Sequence, residues 1–134
     1  FLHFDKATTF VQGKIWFLWE DEVGIEFTKH TKQLVHAIAI FSSSFSFEMS
    51  GVYVKCTRVG RRSLWKAMEF LRSDMVSPWM AVGDFNVVSF TKEQVSGSMV
   101  NMRNVEEFNM AMFNCGLSSV EFERKPFTWA NGSM

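Results

Sequence analysis

An aspartate and an asparagine two residues apart, Asp84 and Asn86, close the apolar run Trp79-Met-Ala-Val-Gly-Asp-Phe-Asn86. On an extended chain, residues i and i+2 share a face, so these two polar side chains can hold one water or one phosphate oxygen between them. In metal-assisted in-line displacement, such a pair positions the attacking water and helps deprotonate it, while a divalent cation stabilises the charge that develops on phosphorus. The same spacing also suits an Asx turn at a strand end. A cationic stretch lies upstream: Lys55, Arg58, Arg61 and Arg62. These side chains could contact the phosphates of a polyanion, or they could form a solvated loop and helix start. Arg61 and Arg62 at a helix N-terminus would oppose the macrodipole, which calls for a reason.

The elements that must position these groups read as follows. Lys14–Trp19, Val23–Thr28, Gln33–Phe41 and Phe45–Val54 are rich in aromatic and β-branched residues. Acidic or serine-rich turns separate them, so the first half of the chain is expected to be a β-meander. From Arg61 to Ser73 the apolar period becomes helical, with Leu64, Met68 and Leu71 on one stripe and Trp65 widening it. Trp79–Asn86 reads as a buried strand. A polar loop, Ser89–Asn101, leads to a second helix with Asn104 as its expected N-cap, Glu107 three residues on, and Gly116 as its stop. Ser118–Glu123 and Phe127–Ala130 complete the pattern as strands. Hairpins followed by strand-helix-strand units give an α/β (α+β) class: a mixed, mainly antiparallel sheet with helices on one face, half of an α/β sandwich.

Composition narrows the function classes. The chain has 134 residues, 47% hydrophobic and 16% aromatic, enough for one core and too few for two. Fourteen basic residues balance fourteen acidic ones, so any contact with nucleic acid must come from a local patch. Cys56 and Cys115 form no Cys-x-x-Cys pair, which argues against a zinc knuckle or a disulfide framework and for a reduced, intracellular setting. No apolar stretch approaches the ~20 residues needed to span a bilayer, so no membrane partner is expected.

Gly83-Asp84-Phe85-Asn86 after Pro78-Trp-Met-Ala-Val82 resembles the Gly-Asp-Phe-Asn strand of the endonuclease/exonuclease/phosphatase (DNase I-like) superfamily. Other segments resemble its plant LINE-type non-LTR retroelement branch, in the same order along nearly the whole chain. They are Gly13-Lys-Ile-Trp-Phe-Leu-Trp19, Gln33-Leu-Val-His36, Val52-Tyr53 with Arg61-Arg62-x-Leu64-Trp65 downstream, Glu106-Glu107-Phe108, Cys115-Gly116-Leu117 and Phe127-Thr128-Trp129. The resemblance implies part of a DNase I-like four-layer α/β sandwich and a Mg²⁺- or Mn²⁺-dependent endonuclease that nicks DNA as part of a retroelement polyprotein. Its setting would be nuclear if chromosomal DNA is the substrate, and no small-molecule cofactor is implied.

Carried over residue by residue, the resemblance gives Asp84 and Asn86 the nucleophilic water and the scissile phosphate, Tyr53 a hydrogen bond to that phosphate, and Thr128 a place near it. Lys55, Arg58, Arg61 and Arg62 remain candidate phosphate contacts. The family's N-terminal Asn, its principal Mg²⁺-ligating Glu, and its C-terminal Asp-His pair have no counterparts in the chain, leaving Asp84 as the candidate metal ligand. His3, His30 and His36 precede the Gly-Asp-Phe-Asn strand, so chain order excludes each as the family histidine. Residues 1–134 are therefore expected to be a single partial domain, cut at both ends and inactive alone. The alternatives are a non-catalytic retroelement relic with weak or no nucleic-acid binding, and a phosphatase of the same superfamily.

Overall fold

The computed structural model describes residues 4–55, 57–85, 102–120 and 128–131. Within them, β1 (Lys6–Phe10) and β2 (Ile15–Trp19) form a two-stranded antiparallel sheet. The strands β3 (Gly24–His30), β4 (Leu34–Ser42), β5 (Phe45–Tyr53), β6 (Trp79–Asp84), β7 (Leu117–Val120) and β8 (Thr128–Asn131) make a second sheet in the order β3-β4-β5-β6-β8-β7. All its pairings are antiparallel except β5 with β6, which run parallel and are joined through α1 (Arg58–Ser73). The second helix, α2 (Met102–Cys115), precedes β7.

Alternation along the strands sends side chains to two different cores. Leu34, Val52, Val54, Trp79, Ala81 and Phe85 pack with Leu64, Trp65 and Met68 of α1 and with Phe108, Ala111, Met112 and Cys115 of α2. The other set, Val35 and Ala37, packs with Ile15 and Phe17 of β2, and Phe10, Trp19, Ile25 and Met49 close around it. The large sheet is thus covered by both helices on one face and by the β1–β2 hairpin on the other. Gly51 permits this second contact. A Cβ there would stand 2.9 Å from Ile15 Cγ2, closer than side chains approach, so only glycine lets β2 lie this near β5.

Several expectations need correcting. The meander holds for β3-β4-β5, but the first hairpin does not join it; it stacks on the opposite face. The helix α1 begins at Arg58, not Arg61, because Thr57 caps it by accepting from Gly60 N at 3.1 Å. That places Arg61 and Arg62 beyond the first turn, where the macrodipole has largely faded. Asn104 is not a cap, since α2 already starts at Met102. The strand expected to end at Glu123 runs Leu117–Val120 among the described residues.

Two buried features bear on stability. Trp79 Nε1 donates to Ser50 Oγ at 2.9 Å, Ser50 Oγ lies 2.7 Å from His36 Nδ1, and His36 Nε2 lies 2.7 Å from Glu48 Oε1. The Glu48 carboxylate can only accept, so His36 Nε2 carries the proton of that bond, while Ser50 Oγ accepts from the indole and also meets His36 Nδ1. His36, 1% exposed, therefore belongs to a satisfied core network and not to a reactive site. His36→Leu is expected to cost about 1–3 kcal/mol by leaving Ser50 with an unmade bond, as read by urea denaturation.

The Cys115 thiol is pushed up from 9.0 to about 12, chiefly by burial, with Glu69 adding and Arg72 opposing. Because the folded value lies above the unfolded one, the neutral thiol favours folding below pH 9. That contribution disappears as pH rises toward 12. At pH 8, alkylation of native Cys115 by iodoacetamide should run about 10³-fold slower than in urea, as followed by mass spectrometry. Equal rates would show an accessible thiolate.

Candidate functional site

The strands β5 and β6 run parallel and end together, with Tyr53 in direct register with Asp84. Register partners in a parallel pair share a face. Both side chains line one cleft of about 660 Å³ on the hairpin side of the sheet, together with Lys14, Gly83 and the apolar side chains of β2. Asp84 and Tyr53 are exposed, and Phe85 turns the other way, 4% exposed, into the helix-side core against Phe108.

The backbone around this rim is tied down. Val54 N donates to Asp84 O at 3.0 Å, extending the ladder one step past Tyr53. Tyr53 N donates to Gln33 O at 2.9 Å. The buried Gln33 side chain then accepts from Lys55 N at 2.8 Å and donates to Gly60 O at 2.7 Å, clamping the segment after Tyr53 to the start of α1. Gly83 has φ +152°, and a Cβ on it would meet the Val52 backbone, with C at 2.8 Å and N at 2.9 Å. Glycine is thus what allows β6 to bring Asp84 alongside Tyr53.

The remaining sequence candidates divide. Asn86 and the side chain of Arg58 lie outside the described residues. Thr128 opens β8 with its backbone beside Val82, at the same end of the sheet as Tyr53 and Asp84. Arg61 is buried, and Arg62 reaches away to Glu107 Oε1 on α2 at 2.9 Å. Lys55 stands with Thr31, Lys32, Gln33, Ser63 and Leu64 around a separate depression. None of these three joins Tyr53 and Asp84 in the cleft. Lys14 does, with its ammonium 5.7 Å from the Tyr53 ring centroid. Sequence reasoning passed over it because nothing local to Gly13-Lys14-Ile15 signals a contact with Tyr53.

Magnesium is normally held by one or two carboxylates together with water and substrate oxygens. Among the described residues no three His, Cys, Asp or Glu side chains cluster, and Asp84 is the one carboxylate lining the cleft. The described residues thus offer one protein ligand, Asp84, and the rest of a magnesium shell would fall to water and substrate oxygens.

Two solved structures share this architecture. The endonuclease domain of TRAS1, a telomere-specific non-LTR retrotransposon, matches with a TM-score of 0.70 over 89% of this chain and 60% of that one, at 10% identity. The catalytic domain of human Nocturnin matches with a TM-score of 0.54 over 87% of this chain and 51% of that one, at 12% identity. No family model and no curated protein matches the chain. The chain carries a partial DNase I-like fold, a mixed α/β arrangement in which the two helices among the described residues cover one sheet face. It spans 60% of the length of the TRAS1 domain. No helix among the described residues is long and apolar enough to cross a membrane.

Proposed function

We propose that the Tyr53–Asp84 rim is part of the phosphodiester-cleaving site of a nucleic-acid endonuclease, of the kind carried by plant LINE-type retroelements and acting on DNA. The observation that carries this reading is the parallel register of Tyr53 with Asp84 at the open end of one cleft. In this reading the Asp84 carboxylate orients the attacking water and draws on its proton, and the Tyr53 hydroxyl donates to a non-bridging phosphate oxygen. Asn86 and Thr128 follow from the sequence resemblance as further contacts. Mg²⁺ or Mn²⁺ is the expected cofactor of an intact domain, with Asp84 as its contact here, and chromosomal DNA as substrate would place the protein in the nucleus.

The family residues that the resemblance leaves without counterparts, its magnesium-ligating Glu and its Asp-His pair, favour a second reading, a non-catalytic remnant that retains the fold. A nicking assay on supercoiled plasmid with Mg²⁺, comparing this chain with a version extended at both ends, separates the two. Nicking by the extended version that depends on Asp84 supports the enzyme. Its absence from both supports the remnant.

A further inference from the structure

The turn between β1 and β2 is conformationally unusual. Val11, Gln12 and Gly13 have φ values of 54°, 53° and 81°, three successive left-handed residues of which two carry side chains. A β-branched residue such as valine rarely adopts this conformation, at a typical cost of about 1–3 kcal/mol. The turn is nevertheless well held: Lys14 N donates to Val11 O at 3.0 Å, Trp16 Nε1 donates to Gly13 O at 3.0 Å, and Phe10 and Val11 pack against the Ile15–Phe17 core. Its result is to set Lys14, an exposed cation, over the Tyr53 ring at the mouth of the cleft that also holds Asp84.

We propose that Lys14 is a phosphate contact of this rim, its ammonium neutralising a non-bridging oxygen of a DNA phosphodiester bound beside Tyr53 and Asp84. This rests on the reading of that rim as a phosphodiester site and adds to it the cation that the cleft otherwise lacks among the described residues. The described cations Lys55, Arg61 and Arg62 do not supply it, since they lie outside the cleft and Arg62 is engaged with Glu107. Lys14 meets two requirements of a phosphate contact. Its charge faces solvent, where it can release a counterion, and the ring beneath it limits the positions the flexible stem can occupy, so less freedom is lost on binding. The chain is formally neutral, so one placed cation in a cleft bearing a carboxylate weighs heavily in the local field.

The test is binding of a fluorescein-labelled DNA duplex to the full 134-residue chain in EDTA, followed by anisotropy across a salt titration. Each lost phosphate contact lowers the slope of log K against log salt by about 0.9, so Lys14→Gln should weaken binding roughly tenfold at 0.1 M salt and flatten the slope by about one. Lys14→Arg should restore both. Lys6→Gln removes the same charge from an exposed residue of β1 outside the cleft and should change neither. Asp84→Asn tests the underlying reading separately, because removing a carboxylate beside a phosphate strengthens binding in the absence of metal.

Tighter binding by Asp84→Asn with no effect of Lys14→Gln would overturn the role of Lys14 and leave the rim in place. Equal losses in Lys14→Gln and Lys6→Gln would reduce the effect to net charge and also overturn it. No response to either cleft substitution, or no binding by the unmodified chain at any salt, would overturn the inference and the site together. Coincident thermal melts of all variants by circular dichroism confirm that folding is unchanged.

Discussion

Replacing Gly83 with alanine is expected to leave most of the chain unfolded at moderate urea, the largest stability loss expected from a methyl added at any described glycine. The added carbon would have to occupy space filled by the Val52 backbone, and backbone cannot rotate away as a flexible side chain can. The φ of +152° is a second, independent obstacle for any residue with a Cβ. Overpacking and backbone strain together cost on the order of 3–5 kcal/mol, against about 5–15 kcal/mol for an entire domain. With a urea slope of about 1–3 kcal/mol per molar, the midpoint should fall by roughly 2 M. Gly13→Ala is the appropriate control, since its φ of 81° is also left-handed but nothing lies within 4 Å of the position. It should cost about 1 kcal/mol. Equal midpoints for the two variants would show that β6 can slide from β5 without penalty, and the Tyr53–Asp84 register would then not be fixed by packing.

The second large effect concerns chemistry. On the proposed reading of the rim, Asp84→Ala in a version of the chain extended at both ends is expected to lower Mg²⁺-dependent plasmid nicking by about 10²- to 10⁴-fold, the usual consequence of losing a positioned acid-base or charge-stabilising group. Tyr53→Phe should cost less, about 10²-fold, because it removes one hydrogen bond to the phosphate and keeps the ring. The 134-residue chain alone is expected to nick below detection, since the resemblance leaves it without the family's principal magnesium-ligating Glu and its Asp-His pair. Nicking by this chain that vanishes in Asp84→Ala would overturn that expectation. Unchanged nicking by Asp84→Ala in the extended version would remove Asp84 from the site.

The parts of the fold that were legible in the sequence are those decided locally. Leu64, Met68 and Leu71 announced α1 by their spacing, and Trp79 to Asp84 announced a buried strand by continuous apolarity and its polar end. The start of α1 was misread because Arg58-Val-Gly60 carries no apolar stripe, and the signal lay instead in the hydroxyl of Thr57. The strand β1 escaped notice because Lys6-Ala-Thr-Thr-Phe10 has one large apolar residue. Nothing in the alternation of Ile15, Phe17 and Trp19 distinguishes a strand that extends a sheet from one that lies across its face. That choice rests on the missing side chain at Gly51, three strands further along the chain. The site divides in the same way. Asp84 was marked by its own tetrapeptide, Tyr53 by resemblance alone, and Lys14 not at all, because its place depends on a turn and a ring brought together only in three dimensions.

The position of β8 between β6 and β7 has a consequence for synthesis on the ribosome. The partner of β6 on that side is the last of the described strands to be made, so a nascent polypeptide that has completed Asp84 must wait for Thr128 to emerge before the sheet can close. At about 5–20 residues per second the interval is roughly 2–9 s. Throughout it, β6 presents a row of unpaired amides and carbonyls to neighbouring chains on the same message, the geometry from which intermolecular strand pairing starts. A chaperone that shields extended segments should therefore raise the soluble yield most when translation is slowed between these two strands.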